Sequence, residues 1–552
     1  MPDLVVTNAA ILTMDSGNPR AEAIALSRGR IAAVGKRAEI EPMAGAATEV
    51  IDARGGSVLP GFVESHMHLF PGGTELSHLQ LVGIEGVAAV ASVARSYAAA
   101  HPDLPVIMGQ GAHYAILDRP LDRHALDAIM PDRPFAIMAH DHHTMWANTA
   151  ALRAAGLLHG APMPRGHEVV LGADGTATGE LREFEAFAAV VALAGEARVN
   201  LGLATGGEPA TPPTAAERAA DKARLLRGLE HCAAHGVTSI VNMDGNRYTL
   251  ELLRELQAEG RLTSRVKVPF HMKPEMDLDA LDRASAMAAD FSDDWLQSGF
   301  VKMFMDGVID SGTAFMLTDY ADAPGHRGMP LFDPPRFAEI CTEIDRRGLQ
   351  IAVHAIGDAA VRATIDGYAA AQAANGARDS RHRIEHIEVI DRADVPRLAE
   401  LGITASLQPP HPPGAMDFPL QPTMDRIGRD RWGDAYLCRT LAEAGATVVF
   451  ASDWPVADIS VLRGLQAALT RKPYPGGADE RLGLHDCLAA YTSRGAWAAR
   501  AEGRVGRLVP GLLADLVVLS RPIEDVPPAA IGGLHVVATV CGGRVTFRGP
   551  TG

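Results

Sequence analysis

The middle of the chain opens with Leu59-Pro60-Gly61-Phe62-Val63-Glu64-Ser65-His66-Met67-His68, an apolar run that ends in two histidines. Residues two apart on a β-strand point to the same face, so His66 and His68 share one face. Two imidazoles placed in this way just past an apolar strand can bind one divalent metal ion. Two incidental polar residues at a strand end would give the same pattern, and the H-x-H pair alone leaves the two interpretations about equal.

Downstream of this segment, short apolar runs alternate with helical stretches. Repeated β-α units indicate a parallel sheet with helices outside, either doubly wound or closed as a barrel. This middle region, residues 60–505, is longer than an eight-unit barrel requires, so we expect insertions, with one at about 70–230. Representative predicted strands are 236–241, 349–353 and 446–450, and representative predicted helices are 216–231, 335–347 and 358–374.

The two ends of the chain have a different pattern. Residues 1–59 and 506–552 contain short apolar runs and tight turns, for example at 23–27 and 514–519. Such runs predict short β-strands. Because chain termini usually lie close together, we predict that both ends form one small β-domain beside the middle region.

Composition excludes several classes of function. Lys and Arg number 51 against 67 Asp and Glu, and the net charge of −16 disfavours nucleic acid as the main partner. Five cysteines without C-x-x-C spacing favour a reduced, cytoplasmic setting. The first residues lack the pattern of a signal peptide, and the absence of a long uninterrupted apolar run predicts no membrane span.

Three more polar residues end predicted strands. His354 follows 350–353, His386 follows 383–385, and Asp453 follows 447–452. In parallel α/β folds these carboxyl ends build the active site. Neutral imidazoles with a carboxylate are the ligands expected of Zn²⁺ or a similar ion. Together with the H-x-H pair, they predict a metal site.

Lys302 is the unusual member of this set, because it lies within the apolar strand 299–305. A buried lysine is costly unless it is neutralised or paired. One interpretation pairs Lys302 with Asp306. The other is carbamylation by CO₂, which converts a cation into a carboxylate able to bridge two metal ions, and the sequence favours neither.

The order of these motifs resembles a known family. They read P-G-F-x-E-S-H-x-H from Pro60, V-K-x-F-x-D-G from Val301, V-H-A-I-G-D from Val353, R-I-E-H from Arg383 and S-D-W-P from Ser452. The order is similar to that of the amidohydrolase superfamily, specifically the amidohydrolase-3 group of YtcJ-like proteins, over nearly the whole chain. The resemblance implies an α/β fold: a (β/α)8 TIM-type barrel with insertions, plus a small β-sandwich domain formed by both termini.

The resemblance also implies a cofactor, one or two divalent metal ions with zinc expected. Lys302 would be a carbamylated bridge, and Asp453 would be both ligand and proton shuttle. Glu64 stands where the superfamily more often has Asp, and we expect it to support the ligands. The implied ligands are His66, His68, Lys302, His354, His386 and Asp453.

A further family segment, H-x-x-W-x-N, reads here from His143 to Asn148. By resemblance, His143 is a catalytic residue near the substrate carbonyl. His142 precedes it where many relatives have Gly, which leaves open which imidazole faces the site. The expected substrate-binding residues are Phe70, His143, Trp146, Phe315, Gln408, His411 and Trp454.

The implied reaction is hydrolysis of a non-peptide C–N bond by a metal-activated hydroxide, with Asp453 as proton shuttle. Small-molecule amides are the expected substrates: N-acyl or N-formyl amines, cyclic amides or carbamates. Relatives often dimerise, so a homodimer is one expected assembly. Ester hydrolysis or deamination on the same scaffold is the alternative, and a non-catalytic scaffold protein is a weaker one because every ligand position is filled.

Overall fold

Strands and helices alternate along the chain in the computed structural model, which describes residues 1–164 and 166–550. In chain order the strands are β1 (Leu4–Thr7), β2 (Ala10–Leu12), β3 (Arg20–Ala21), β4 (Ala23–Ser27), β5 (Arg30–Gly35), β6 (Glu49–Asp52), β7 (Ser57–Pro60), β8 (Phe62–Met67), β9 (Leu79–Gln80), β10 (Ile107–Ala112), β11 (Phe135–Ala139), β12 (Thr144–Ala147), β13 (Glu168–Leu171), β14 (Ala177–Arg182), β15 (Val237–Asn242), β16 (Arg265–Lys267), β17 (Phe270–His271), β18 (Leu296–Gln297), β19 (Phe300–Phe304), β20 (Gln350–Ala355), β21 (Arg383–His386), β22 (Thr404–Leu407), β23 (Thr447–Phe450), β24 (Leu516–Leu519), β25 (Val536–Cys541) and β26 (Arg544–Arg548).

The helices between these strands agree with the predicted ones to within a few residues. For example, α8 begins after Thr214, whose side chain and that of Glu217 cap each other's backbone N–H groups. The α-helices are α1 (Arg37–Ile40), α2 (Leu69–Glu75), α3 (Val87–Ala100), α4 (Arg123–Ile129), α5 (Thr149–Ala154), α6 (Phe184–Leu193), α7 (Leu201–Thr205), α8 (Ala215–Ala234), α9 (Arg247–Ala258), α10 (Leu281–Asp290), α11 (Pro334–Arg346), α12 (Asp358–Asn375), α13 (Val395–Glu400), α14 (Thr423–Ile427), α15 (Cys438–Glu443), α16 (Val461–Thr470), α17 (Leu484–Ala490) and α18 (Ser493–Ala498).

Two parallel sheets form the centre of the molecule. Their strand orders are β8-β15-β16-β18 and β17-β19-β20-β21-β22-β23, and each neighbouring pair runs parallel. Backbone hydrogen bonds join the last strand to the first: the N–H of Asp453 donates to the carbonyl of His66 (2.9 Å), and the N–H of His68 to that of Trp454 (2.7 Å). The carboxyl ends of β8 and β23 therefore lie side by side.

A separate mixed sheet is inserted between α2 and α8. Its order is β13-β14-β12-β11-β10-β9, and helices α3 to α7 accompany it. Two apolar clusters of its own fill this region, one around Phe135 and Trp146 and another around Leu152 and Phe187. The insertion therefore has its own core beside the parallel sheets.

Strands from the chain ends form the remaining two sheets, and both ends meet in the second of them. One has the order β5-β4-β1-β6, and the other has the order β26-β25-β24-β7-β2-β3. In the second sheet β7 pairs antiparallel with β24, and one apolar cluster combines Leu4 and Ile24 with Leu516 and Val540. Of the described helices, none has both the length and the apolar character needed to cross a membrane.

A buried ion pair links the C-terminal strands to the parallel sheets. Arg265 in β16 donates from Nε and Nη2 to the two carboxylate oxygens of Asp515 (2.6 and 2.8 Å), and the N–H of Gly542 donates to Oδ1 of Asp515 (2.7 Å). The side chains of Arg265 and Asp515 are 10% and 2% exposed, so bulk water cannot take the place of either partner.

We therefore expect Asp515→Asn to lower the free energy of unfolding by about 3 kcal/mol or more, because it leaves the buried Arg265 charge unpaired. Chemical denaturation monitored by circular dichroism measures this loss. Glu524→Gln, which removes the partner of exposed Arg20, is the control and should leave the midpoint nearly unchanged. Equal midpoint shifts in the two variants would contradict the structural role of the pair.

Candidate metal centre

The predicted ligands converge at one edge of the parallel sheets. His66 lies in β8, Lys302 in β19 and His354 in β20, whereas His386 ends β21 and Asp453 follows β23. Because the carboxyl ends of parallel strands meet at one edge, residues far apart in sequence come together there. The backbones of His386 and Asp453 have positive φ angles of 77° and 62°, a conformation that non-glycine residues adopt at a cost and that occurs often at functional sites.

The two carboxylate oxygens of Asp453 face different histidines. Oδ1 lies 3.2 Å from Nε2 of His66 and 3.2 Å from Nε2 of His68. Oδ2 lies 3.9 Å from Nδ1 of His386 and 4.0 Å from Nε2 of His411. Among the described residues, two groups therefore bring potential ligand atoms within 4.8 Å of one another: His66, His68 and Asp453, and His386, His411 and Asp453.

A buried charge network orients His66. Its Nδ1 donates to Oε2 of Glu385 (2.7 Å), and Nε and Nη2 of Arg383 donate to the same carboxylate (2.6 and 2.9 Å). Burial would raise the pKa of Glu385, but the Arg383 guanidinium holds it well below its usual range. With Nδ1 donating to Glu385, Nε2 of His66 faces Oδ1 of Asp453, and a cation between these two atoms could be bound by both.

Several buried polar atoms at this edge have no hydrogen-bond partner. Their positions show whether the site suits a metal ion. Within the described residues, Oδ1 of Asp453, Nδ1 of His68, Nε2 of His411 and Nζ of Lys302 have no hydrogen bond. Buried polar groups are normally satisfied, so a cluster of unsatisfied nitrogen and oxygen atoms requires an explanation. A divalent ion bound by imidazoles and a carboxylate supplies one for Oδ1 of Asp453. Nδ1 of His68 instead faces Oδ1 of Asp244 at 3.6 Å.

Lys302 is fully buried, and its Nζ lies 4.7 Å from the centre of the Phe304 ring. The ion pair with Asp306 that one interpretation of the sequence expects is not formed. Instead, Asp306 accepts the backbone N–H groups of Phe315, Ile356 and Gly357 at 2.8 to 3.0 Å. Burial lowers the pKa of Lys302 to about 8.

His354, another of the implied ligands, has one ring nitrogen hydrogen-bonded within the protein. Its Nε2 donates to the carbonyl of Gly307 (3.0 Å), and its ring centre lies 4.5 Å from that of His386. Burial holds the pKa of His354 well below its usual value, so the imidazole is neutral. Lys302 and His354 belong to neither of the two ligand groups found among the described residues.

His142 and His143 have different partners. His142 uses both ring nitrogens, with Oε2 of Glu75 at 2.9 Å and the carbonyl of His140 at 3.0 Å. His143 donates from Nδ1 to Oε2 of Glu183 (2.7 Å), and its ring centre lies 5.3 Å from that of His354. The geometry therefore brings His143 next to the predicted ligands with its Nδ1 anchored.

The predicted substrate-binding residues divide into two sets. Gln408 reaches the site, where its Oε1 accepts a hydrogen bond from Nδ1 of His386 (3.0 Å). The structure corrects the prediction for two tryptophans that were expected to line the pocket. Trp146 packs on Tyr114 in the core of the insertion, with ring centres 5.0 Å apart, and Trp454 packs on His231 beside α8, with ring centres 5.2 Å apart.

Two other residues predicted to bind substrate, Phe70 and Phe315, also pack within the protein. Phe70 is fully buried in the main apolar core. Phe315 is half-buried, and its backbone N–H holds Asp306. Phe70 lies on the buried face of α2, and Phe315 lies in the loop after β19, where its side chain packs against the same core.

Cavities lie at and near the predicted ligands. Two of about 50 Å³ each touch Asp453, one on the side of His66 and Lys302 and the other on the side of His411. A larger cavity of about 780 Å³ lies beyond them. Phe184 and Phe304 line both this cavity and the one beside Lys302, so their rings form part of a shared wall.

Sequence reasoning did not identify Glu183, Glu388, Phe184 or Phe304. Glu183 contacts His143 across 40 positions of sequence, and no local pattern indicates that contact. Only its position could have indicated a functional role for Glu183. It directly follows β14 and has a positive φ of 66°. Glu388 lies two residues after the R-I-E-H motif.

Comparison with known proteins identifies the family. A sequence profile of the amidohydrolase family matches residues 49–547, which include every strand of the two parallel sheets. The chain belongs to this family. The predicted resemblance is thereby confirmed.

Three relatives align with this amidohydrolase over nearly its whole length. Protein LONG AFTER FAR-RED 3 of Arabidopsis thaliana is 29% identical, covering 99% of this chain and 91% of the relative. The putative amidohydrolase YtcJ of Bacillus subtilis (strain 168) is 28% identical over 98% of both chains. N-substituted formamide deformylase of Arthrobacter pascens is 26% identical over 99% of both.

The fold of this amidohydrolase also occurs among solved structures. An uncharacterized metal-dependent hydrolase from Pyrococcus horikoshii OT3 superposes with a TM-score of 0.73 at 24% identity, covering 96% of this chain and 99% of that one. The mixed α/β architecture is therefore that of metal-dependent hydrolases.

The network around His66 generates a prediction for metal binding by this amidohydrolase. Glu385→Gln weakens the acceptor of the His66 N–H and leaves the buried Arg383 unpaired. Partners of this kind typically contribute 10- to 100-fold to metal affinity, so we expect a loss of about that size in chelator competition with Zn²⁺. Glu443→Gln, at an exposed pair with Arg439, is the control. Unchanged affinity in a folded Glu385→Gln variant would exclude the role.

Proposed function

We propose that this amidohydrolase is a metal-dependent enzyme that cleaves a non-peptide C–N bond in a small-molecule amide. The observation that carries the proposal is the convergence of His66 and His68 on the unpartnered Oδ1 of Asp453. N-acyl amines, N-formyl amines, cyclic amides and carbamates are the substrate classes proposed. Among them we favour N-substituted formamides, because a relative that aligns over 99% of both chains is named a deformylase for these compounds.

His66, His68 and Asp453 would hold a divalent ion, with zinc the expected one because imidazole nitrogen and carboxylate oxygen suit it. When bound, such an ion supplies an activated water and polarises a carbonyl group. The protein's own part is to present the ligands. Glu385 fixes the ring of His66, and Glu64 accepts the N–H of Ser452 (2.5 Å), which holds the loop that carries Asp453.

Asp453 is the proposed proton carrier. Burial alone would raise its pKa, but the nearby His66 and His68 hold the pKa well below its usual range, so the carboxylate is ionised. Its Oδ1 has no hydrogen-bond partner among the described residues. A carboxylate in this position can take a proton from the attacking water and return it to the departing nitrogen.

His143 is the proposed donor to the substrate carbonyl. Burial lowers the pKa of His143, but the Glu183 carboxylate outweighs it and raises the value. The side chain of Thr313 donates in turn to Oε1 of Glu183 (3.0 Å), which fixes that carboxylate. An imidazolium held at Nδ1 leaves Nε2–H to stabilise negative charge that develops on the carbonyl oxygen.

The size of the large cavity is evidence for a substrate that has a bulky group on one side of the scissile bond. Its volume of about 780 Å³ is that of a pocket for a drug-sized ligand. We propose that the reacting amide lies by Asp453 and that the rest of the substrate extends past Phe184 and Phe304. The insertion supplies part of this cavity through Arg182 and Glu183 at the end of β14.

We propose that the two parallel sheets close into one (β/α)8 barrel, supported by the bonds that join Asp453 and His66. The domain boundaries stay as predicted: a β-sandwich from 1–59 and 506–552 around a barrel at 60–505. A cytoplasmic location and a homodimer are proposed on the sequence alone.

The proposed activity is tested with metal-reconstituted protein and three substrate panels: N-substituted formamides and other amides, carboxylic esters, and aminopurines. Amide cleavage supports the proposal. Exclusive turnover of esters or aminopurines would assign the alternative reactions of ester hydrolysis or deamination, and an inability to bind metal would favour a non-catalytic scaffold.

Asp453→Asn should reduce kcat on the best amide by about 10²- to 10⁴-fold, because the amide side chain cannot carry a proton. Metal content, measured by plasma mass spectrometry, should persist through His66 and His68. Asp458→Asn, five residues later on the partly exposed pair with Arg463, serves as the control. Near-normal turnover of the Asp453 variant would defeat the assignment.

Lys302 is proposed to carry a carbamate. A bond forms between its neutral Nζ and the carbon of CO₂, and one proton leaves the nitrogen. Burial lowers the pKa of Lys302 to about 8, which increases the neutral fraction that can react. A carbamate would replace a buried cation that has no hydrogen bond with an anion beside potential metal ligands.

Protein equilibrated with ¹³C-bicarbonate should give a carbamate carbonyl signal in its ¹³C NMR spectrum, and Lys302→Ala should remove it. Lys267 is a matched control, because burial lowers its pKa to about 7 but its Nζ donates to Gln350 and to the carbonyl of Ala499. Lys267→Ala should keep the signal. A signal that survives Lys302→Ala would contradict the proposal.

A further inference from the structure

The loop that follows β19 lines two of the cavities. Residues 311–313 form part of the large cavity, and residues 308–310 form part of one cavity of about 50 Å³ at Asp453, termed the small polar cavity. A backbone hydrogen bond from Gly312 to the carbonyl of Ile309 (2.9 Å) closes a turn between the two groups. The loop therefore separates the space proposed for the bulky part of the substrate from a smaller space beside the reacting amide.

The small polar cavity has acidic walls. Of the described residues that line it, four have carboxylate side chains and none is Lys or Arg. Asp453 is a proposed metal ligand, and Asp141 accepts two hydrogen bonds of 3.0 Å each. Glu388 accepts a hydrogen bond from the hydroxyl of Tyr436 (3.0 Å), and its other oxygen lies 3.7 Å from a histidine ring nitrogen. The fourth carboxylate, that of Asp310, is the one that is least engaged.

Asp310 uses one of its two carboxylate oxygens. Its Oδ1 accepts the hydroxyl of Thr423 in α14, whereas Oδ2 makes no hydrogen bond to any described residue. Arg426, on the same helix, pairs with Asp322 (3.4 Å) and not with Asp310. Asp310 is 9% exposed, and burial raises its pKa to about 7. Burying a carboxylate without a cationic partner costs free energy, so a positive group that enters the cavity would stabilise it.

Within the described residues, the basic side chain that comes within 4.0 Å of Asp310 is that of His140, and it does not supply this charge. Its Nε2 lies 3.7 Å from Oδ2 of Asp310, too far for a hydrogen bond. Burial lowers the pKa of His140 to about 4, so the imidazole is neutral. The side chain is nine-tenths buried, and its Nδ1 also has no hydrogen bond to a described residue. Two buried polar groups of one cavity therefore lack partners, which is uncommon unless a ligand or water supplies them.

We infer that Asp310 is a specificity-determining residue whose Oδ2 binds an ammonium group on the acyl side of the substrate amide. The bulky substituent on the amide nitrogen then lies in the large cavity, and a short aminoalkyl chain on the carbonyl carbon enters the small polar cavity. The volume of about 50 Å³ limits that chain to a few non-hydrogen atoms. The substrate class is thus an N-substituted amide of a small amino acid. The inference rests on the proposed function and narrows its class of N-acyl amines.

The test is the binding of three uncleavable ligands to full-length, metal-reconstituted protein by isothermal titration calorimetry at pH 8, where Asp310 is ionised. Each ligand is a ketone in which a methylene group replaces the nitrogen of an N-benzyl amide, and its acyl chain ends in an ammonium, a methyl or a carboxylate group. Wild-type protein should bind the ammonium ligand about 10- to 100-fold more tightly than the methyl ligand, the range that hydrogen bonds to charged groups contribute. The carboxylate ligand should bind more weakly than the methyl ligand.

Asp310→Asn should remove the preference for the ammonium ligand and leave the affinity for the methyl ligand nearly unchanged. Asparagine keeps an oxygen that can accept the hydroxyl of Thr423, so the substitution removes the charge and not the contact with α14. Asp425→Asn is the matched control, because Asp425 lies on the same helix but is exposed to solvent. This variant should keep the full preference, and circular dichroism verifies that each variant is folded.

A wild-type preference for the ammonium ligand of less than tenfold would overturn the inference, and so would a preference that persists in Asp310→Asn. Loss of the preference in Glu388→Gln but not in Asp310→Asn would also overturn it, because Glu388 would then bind the ammonium group. The readout is ligand binding, so it stands even if the protein cleaves none of the amides tested. Failure of the inference and failure of the proposed function are thereby distinguishable.

Discussion

The carboxylate of Asp453 lies where the last strand of the parallel sheets meets the first, and the site depends on that placement. Two backbone hydrogen bonds bring the loop after β23 against the end of β8. They bury an ionised carboxylate among imidazoles, with Oδ1 lacking any hydrogen bond in the described part of the chain. Burying an unpaired charge costs free energy, so a cation bound at this point would stabilise the folded protein.

The cationic side chains near Asp453 do not form an ion pair with its carboxylate. Arg383 is fully buried close by, but it donates to Glu385 and to the carbonyl of Ser65 rather than to Asp453. Lys302 is held in contact with the ring of Phe304. Neither Arg383 nor Lys302 is hydrogen-bonded to Asp453, and imidazole nitrogens remain as the neighbours of the carboxylate. Such a division suits a metal ion, which binds neutral nitrogen and anionic oxygen together.

The inserted sheet contributes further residues to the same site. Its strand β14 is followed directly by Glu183, which anchors His143 next to His354, while Phe184 contributes to the wall of the large cavity. The parallel sheets supply the ligands, and a separate layer supplies the group proposed to contact the carbonyl and part of the space beyond. We therefore expect changes in the insertion to alter substrate choice without disturbing the proposed ligands, in keeping with the general separation of scaffold and specificity loops.

The sequence by itself determined the alternation of strands and helices, the family, and the residues that end the central strands, because local apolar periodicity and short motifs encode these directly. His66, His68, His386 and Asp453 were predicted and do converge. Tertiary structure alone decided which oxygen of Asp453 faces which histidine, that Trp146 and Trp454 pack in cores, and that Glu183 joins the site. Those properties depend on side-chain direction and on contacts between distant segments, and both are set only when the strands are packed side by side.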